Sequence, residues 1–144
     1  MRPPVLIFVA AALAALVAAP PGGSELRSGF TLSSPAFRSG GTIPRLYTCD
    51  GANISPALRW KAPPAGARSF ALIMDDPDAP DGGPFTHWLA WGLSAKSRTL
   101  AARARPPAEG RNDHGRRGWF GPCPPPGKPH RYVFRLYALN SPLP

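Results

Sequence analysis

Hydrophobic residues along the chain form short runs separated by proline and glycine, a pattern that predicts a series of short β-strands. The runs with strand character are 30–32, 57–60, 70–74, 88–93 and 131–139. With 21 prolines and 15 glycines in 144 positions, little room is left for long helices. Only residues 100–105 are predicted to form a turn or two of helix. The pattern therefore predicts a mainly antiparallel β fold.

The clearest run is 131–139, in which apolar residues occupy both alternating faces. A strand of this kind is expected to be covered on both sides rather than to lie at a wet edge. Only a short polar and proline-containing tail follows it in the sequence. Either earlier segments supply the covering layer, or the polypeptide is shortened.

The first residues have the layout of a secretory signal peptide. Arg2 precedes residues 5–19, which consist only of Val, Leu, Ile, Phe and Ala. This stretch is too short to span a bilayer comfortably. We therefore expect residues 1–23 to be a signal peptide, residues 24–144 to form one domain, and the product to be periplasmic or extracellular. Because Pro20 follows the small residues 17–19, an uncleaved membrane tether is the alternative.

The net charge of +9 is concentrated in residues 96–117, which hold seven basic and two acidic residues. Such a segment could meet phosphate groups or anionic lipid. Its composition is also that of a solvated Arg-rich loop, which is the preferred interpretation. No aromatic residue lies between Trp91 and Trp119, so the stacking platform of a single-strand nucleic-acid surface is missing. Nucleic acid is therefore not expected as a partner.

Two proline-rich segments carry the candidate chemistry. Residues 75–88 hold four of the eight acidic residues and one of the three histidines, directly after an apolar run. Residues 121–132 form a second rigid loop that delivers His130 to the start of a strand. Proline-fixed loops at strand ends are typical of binding sites, and the two loops are predicted to face one pocket.

Cys49 and Cys123 have no second Cys or His at metal-ligand spacing. In an exported chain, a disulfide is the better interpretation of such a pair than a metal site. The sequence does not decide whether the two residues come close enough to be joined.

Several motifs, read in order, resemble the phosphatidylethanolamine-binding protein family, and more narrowly its bacterial Raf kinase inhibitor-like YbhB/YbcL branch. The main motifs are Asp76-Pro77-Asp78-Ala79-Pro80, His87-Trp88, Gly121-Pro122-Cys123-Pro124-Pro125 and His130-Arg131-Tyr132. Supporting pieces lie at 30–37, 43–44, 47–51, 55–60 and 137–139. The resemblance covers residues 30–139.

The resemblance implies an antiparallel β-sandwich with a large central sheet, few short helices and a shallow anion pocket. It implies a non-enzymatic protein without a cofactor or a bound metal, which holds a small phosphorylated or anionic ligand such as a phospholipid headgroup. Asp76 and Asp78 are expected to orient the two histidines toward the anion. The ligand-binding residues that it implies are Asp76, Asp78, His87, Gly121, Pro122, Cys123, Pro124, His130 and Tyr132.

Some alternatives remain open. The family normally continues beyond the last strand, so we expect the fold to be incomplete at its C-terminus. A second hypothesis is an inhibitor or modulator of a kinase or an extracytoplasmic hydrolase, which would bind a protein partner through surface loops. A third is a hydrolase with a metal held by Asp and His side chains. His114 is expected to be a solvated turn residue, and Asp75 and Asp81 to be loop acids outside the site.

Overall fold

The structure is a computed structural model that describes residues 29–80 and 82–144. The predicted signal segment 1–23 and Asp81 lie outside the described residues. Along the described chain, one 3-10 helical turn, Arg45–Tyr47, lies between the first two of seven strands. The strands are β1 (Thr31–Ser33), β2 (Leu58–Lys61), β3 (Ser69–Asp76), β4 (Phe85–Ser94), β5 (Thr99–Leu100), β6 (Ala108–Glu109) and β7 (Val133–Leu139).

The strands form two antiparallel sheets. The smaller sheet has the order β1-β2-β5, and the larger has the order β6-β4-β3-β7. All five predicted runs overlap a strand, and the predicted mainly β fold is confirmed. The short strands β5 and β6 were not predicted, because two residues are too few to show an alternating pattern.

The core lies between the two sheets. Leu58 of the smaller sheet packs in one buried cluster with residues of β3 and β4, among them Leu72 and Trp88. A second cluster joins Trp60 of β2 to Phe70 of β3. Phe70 and Trp88 are completely buried. Burial of such large apolar side chains is the main favourable term in folding, so this interface fixes the position of β3 and β4.

The predicted helix at 100–105 is wrong. Leu100 is the last residue of β5, and Arg103 has a φ of +58°, which is outside the helical region. The backbone N–H of Arg103 donates instead to the carbonyl of Ser55 at 3.1 Å. A tertiary hydrogen bond thus overrides the weak local helix propensity. No helix within 29–80 and 82–144 is long and apolar enough to cross a membrane.

The expectation that the last strand is covered on both faces is also wrong. β7 pairs with β3 on one side and is the outermost strand of its sheet. None of its residues is fully buried, and Tyr137 is 44% exposed. The apolar residues Phe134 and Leu136 pack against the core, while Arg135 and Tyr137 face outward. The alternation is therefore that of a strand with one covered face.

Candidate functional site

β3 and β4 bring His87 and the carboxylates to one end of the larger sheet. β3 ends with Asp75 and Asp76, and β4 begins at Phe85, which pairs with Asp76. His87 therefore lies inside β4, whereas the sequence analysis placed it in the preceding loop. His87 lies at a register shift, since Trp88 pairs with Met74 and Thr86 with Asp75, and its ring is 5.1 Å from that of Phe85.

Asp76 is the carboxylate that holds an imidazole. Its Oδ2 accepts a hydrogen bond from Nδ1 of His130 at 2.7 Å, and its Oδ1 accepts one from the backbone N–H of Asp78 at 2.9 Å. Asp76 is only 4% exposed, so these donors replace the water that burial removes. Since Nδ1 of His130 is committed to Asp76, Nε2 is the ring nitrogen left for a ligand.

Asp78 and Asp75, the other two acidic side chains at this end of the sheet, accept hydrogen bonds from arginines and a hydroxyl. Asp78 does not orient a histidine as expected, because it accepts hydrogen bonds from Arg131 Nε at 2.9 Å and Nη2 at 2.6 Å. Hydrogen bonds from Arg131 hold the pKa of Asp78 well below its usual range. Asp75 accepts from the Thr86 hydroxyl at 3.0 Å and pairs with Arg135. Each of these carboxylates is therefore already satisfied by donors of the protein.

His87 is a buried imidazole fixed by a backbone carbonyl. It is 4% exposed, and its Nδ1 donates to the carbonyl oxygen of Phe120 at 2.9 Å. Burial lowers the pKa of His87 from its ordinary value of 6.5, and the Phe120 carbonyl and the charge of Asp76 offset only part of this effect. At neutral pH the ring is neutral and its Nε2 is an acceptor, which becomes a donor when the ring gains a proton.

Tyr132 brings an unpartnered hydroxyl to the same place. Its ring lies edge-on to His87, with 5.3 Å between the centroids. The hydroxyl oxygen is buried and its proton has no acceptor among the described residues, while the backbone N–H of Cys123 approaches the oxygen and lowers the pKa slightly. Burial, assisted by the charge of Asp76, raises the pKa of Tyr132 to about 12. The hydroxyl therefore keeps its proton at physiological pH and can donate it to a ligand.

An asparagine in the left-handed backbone conformation holds the loop of residues 121–124. Asn53 has a φ of +51°, and its Oδ1 accepts a hydrogen bond from the backbone N–H of Gly121 at 2.8 Å. A Cβ at Gly121 would lie 2.1 Å from the carbonyl oxygen of Tyr47, so only glycine fits there. Sequence reasoning missed Asn53, although asparagine is one of the few residues that tolerates this backbone conformation.

A disulfide ties the same loop to the 3-10 turn. Cys49 and Cys123 are bonded, with 5.4 Å between their Cα atoms. The backbone N–H of Cys49 also donates to the carbonyl of Pro122 at 3.0 Å. Gly121 and Pro122 are buried, while Cys123 and Pro124 are exposed. The disulfide thus holds the outer half of the loop, and Asn53 holds the inner half.

His114 lies close to the predicted site, although the sequence did not associate it with the pocket. It is an exposed turn residue, as expected. Its ring nevertheless packs on Phe120 at a centroid distance of 3.6 Å and edge-on to Phe85 at 4.9 Å, and it lies 6.4 Å from His87. The only sequence signal was its position in a polar turn shortly before the second loop.

A groove opens beside the pocket. Its volume is about 730 Å³, and His130, Tyr132, Pro122 and Pro124 form part of its wall. Apolar side chains from three parts of the chain extend the wall away from the histidines: Leu32, Phe37, Ile43, Leu58, Val133 and Phe134. The groove therefore joins polar donors at one end to an apolar surface.

The geometry does not favour the metal-dependent hydrolase. Within 29–80 and 82–144, no three His, Cys, Asp or Glu side chains gather closely enough to hold a metal ion. Asp78, which that hypothesis needs as a ligand, is instead bound by both the side chain and the backbone of Arg131.

Comparison with known proteins gives a consistent assignment. The sequence model described as Phosphatidylethanolamine-binding protein matches residues 33–144. A UPF0098 protein of Aquifex aeolicus is 46% identical over 114 residues, which are 74% of this chain and 66% of that protein. A protein of Mycobacterium tuberculosis named as the lipoprotein LppC is 46% identical over 113 residues, 76% of this chain and 55% of that protein. The chain thus spans between half and two thirds of these two relatives.

Two solved structures have the same fold. A phosphatidylethanolamine-binding protein homologue of Chlamydia trachomatis, CT736, has a TM-score of 0.76 and 40% identity, covering 81% of this chain and 79% of that one. E. coli YbcL, described as a member of the mammalian PEBP family, has a TM-score of 0.74 and 34% identity, covering 78% of each chain. By sequence and by fold, this chain belongs to the phosphatidylethanolamine-binding protein family.

Proposed function

We propose that the protein is a non-enzymatic binding protein that holds a phosphoryl anion, free or in a phospholipid headgroup, between His87, His130 and Tyr132. The observation that carries this proposal is the buried Tyr132 hydroxyl, whose proton has no acceptor within the described chain and whose ring lies beside an imidazole. A buried polar group without a partner costs about 1–3 kcal/mol, so a ligand that accepts its proton would recover that cost.

The charge balance of the pocket supports an anionic ligand. Bare carboxylates would repel a phosphate, but those of Asp75, Asp76 and Asp78 are all bound by donors of the protein. His87 and His130 each commit Nδ1 to a protein acceptor and keep Nε2 for a ligand. Charge-assisted hydrogen bonds from protonated imidazoles to phosphate are stronger than neutral ones.

The apolar groove supports an amphiphilic ligand. It begins at His130 and Tyr132 and continues along Phe37 and Phe134. A phosphoryl group at the histidines would leave an attached hydrocarbon in contact with these rings, which removes apolar surface from water. The family's name and the shape of the site thus favour the same ligand class, a phosphate ester with an apolar part.

We place the protein outside the cytoplasm. The Cys49–Cys123 disulfide is typical of oxidising compartments, and a relative is named as a lipoprotein. The alternative is an inhibitor or modulator of a kinase or an extracytoplasmic hydrolase that acts through surface loops, and no separate feature of the described residues favours it.

The test is a titration with inorganic phosphate, O-phosphoethanolamine and a short-chain lysophospholipid, followed by ¹H–¹⁵N NMR. We expect shifts at the imidazole nitrogens of His87 and His130, with tighter binding of the ligand that carries an apolar chain. The double variant His87→Ala, His130→Ala should lose the response, whereas Lys61→Ala, an exposed change on β2, should keep it. An equal response in the folded double variant would remove the site from consideration.

A further inference from the structure

His114 shares two aromatic neighbours with His87. Phe120 is stacked with His87 at 5.9 Å and contacts His114 at 3.6 Å, measured between ring centroids. Phe85 lies 5.1 Å from His87 and 4.9 Å from His114. The two imidazoles therefore belong to one cluster of four rings, in which His87 is buried and His114 is exposed.

The turn that carries His114 is fastened to β4. The Asp113 backbone N–H donates to the Thr86 carbonyl at 3.0 Å, and the Asp113 carboxylate accepts from the Thr86 N–H at 2.6 Å. Asn112, which is 3% exposed, donates to the carbonyls of Gly118 at 3.0 Å and His87 at 3.4 Å. The position of His114 relative to His87 is thus set by the backbone of the strand that carries His87.

The charges around this turn favour an anion. The loop 111–117 carries three exposed arginines, Arg111, Arg116 and Arg117. The one acidic residue of this loop, Asp113, accepts a hydrogen bond from the backbone N–H of Thr86. Across the ring cluster, the titratable group that faces His114 from β4 is His87 itself. The net positive charge of this loop therefore favours a negative ligand near His114.

We propose that His114 is a further ligand-binding residue, which with His87 bridges one tetrahedral oxyanion, a phosphate or a terminal phosphate ester. This inference rests on the proposed function and adds a residue to the same site. The 6.4 Å between the ring centroids lies within the span of an anion that accepts one hydrogen bond of about 2.8 Å from each ring.

The bridge makes binding depend on pH. His87 already uses its Nδ1 proton on the Phe120 carbonyl, so it can donate to an anion from Nε2 only after gaining a second proton. Histidine is the side chain whose ordinary titration falls between pH 5 and 8. Affinity for the anion should therefore rise as pH falls and His87 gains this second proton.

The proposed bridge between His87 and His114 should bind phosphate monoesters and phosphodiesters differently. A terminal phosphate ester has three free oxygens, enough for the bridge between His87 and His114 and for a further bond to Tyr132 or His130. A phosphodiester has two free oxygens and a single charge. Loss of the His114 contact should therefore weaken binding of a monoester more than that of a diester.

The experiment compares the intact protein with His114→Phe and His114→Gln. Phenylalanine keeps an aromatic ring against Phe120 and Phe85 but has no N–H, and glutamine keeps an N–H donor without the ring. Dissociation constants for inorganic phosphate, O-phosphoethanolamine and glycerophosphoethanolamine would be measured calorimetrically at about pH 6 and about pH 8. Unfolding in urea reports whether each variant remains folded.

We expect His114→Phe to weaken phosphate and monoester binding by about tenfold at the lower pH, where His87 can also donate, and by less than about twofold at the higher pH, where His87 cannot complete the bridge. The diester should change little, and His114→Gln, which keeps an N–H donor, should lose less affinity than His114→Phe. Unchanged affinities in His114→Phe, or a loss that is equal at both pH values, would overturn the role of His114. If the unaltered protein binds none of the three compounds, the proposed function fails and this inference fails with it.

Discussion

The Oδ2 atom of Asp76 lies 2.7 Å from Nδ1 of His130, although the two residues are 54 positions apart in the sequence. The contact joins the end of β3 to the loop that precedes β7. It fixes the orientation of the imidazole, and it gives a buried carboxylate a donor that can carry a charge. The orientation of the remaining ring nitrogen of His130, Nε2, is therefore set by a residue of the sheet as well as by the loop.

Asp76→Asn tests this relationship. The amide keeps the size of the side chain but loses the charge, so we expect phosphate binding to weaken by about tenfold and the free energy of unfolding to fall by about 1.5–3 kcal/mol. Urea unfolding and phosphate titration would measure the two effects. Lys61→Gln, at an exposed residue of β2 that does not line the groove, is the control and should change neither quantity. Normal binding in Asp76→Asn would show that His130 does not need this partner.

Tyr132→Phe should separate binding from stability. Removing a buried hydroxyl that has no protein partner is expected to leave the free energy of unfolding unchanged or to raise it by about 1 kcal/mol. Removing the donor should weaken phosphate binding by about tenfold. Both quantities can be measured in one set of thermal scans with and without phosphate. A variant that is less stable but binds normally would contradict the assignment of the hydroxyl to the ligand.

Gly121→Ala should disrupt the pocket loop. The added methyl group would lie 2.1 Å from the Tyr47 carbonyl and 2.7 Å from Asn53 Oδ1, so the loop must move. We expect a loss of about 2–4 kcal/mol in stability together with weakened phosphate binding, measured by urea unfolding and calorimetry. Gly83→Ala is the control, because nothing lies within 4 Å of a Cβ at that position. Equal behaviour of the two variants would contradict the packing described for the loop.

The pKa of His87 predicts a loss of stability in mild acid. The folded protein lowers this pKa below 6.5, so the unfolded chain takes up a proton that the folded chain does not. Stability from this group is complete above 6.5 and falls with decreasing pH through the lowered pKa, by at most about 1.4 kcal/mol per pH unit. Urea unfolding between pH 5 and 8 should show a shallower dependence in His87→Gln. The same slope in both proteins would show that His87 does not titrate as described.

Much of the fold followed from the sequence because its signals are local. Alternation of apolar residues and frequent turn formers were sufficient to place the strands around Trp60, Phe70 and Trp88. The signal failed where a long-range contact decides the structure. At Arg103, a hydrogen bond to Ser55 replaces the predicted helix. At β7, composition could not reveal that only one of the two apolar faces of the strand would pack against the core.

The site could be predicted in part for the same reason. Motifs indicated which residues belong together, and the structure brings His87, His130 and Tyr132 to one end of the sheet. The motifs did not indicate which donor each carboxylate would bind, because Asp78 meets Arg131 only once the two loops pack. His114 lies beside His87 because hydrogen bonds hold its turn against β4. These long-range hydrogen bonds have no signature in the sequence.

The Cys49–Cys123 bond has a consequence for how the pocket forms. It closes a loop of 74 residues that contains both β3 and β4, so oxidation restricts the unfolded chain, by about 4 kcal/mol in a chain-entropy description. A chain that folds in a reducing environment would keep the sheet interface but lose the covalent link to the 121–124 loop. We therefore expect the proposed anion binding to be weaker in the reduced protein, because only thiol oxidation fixes the outer half of the loop.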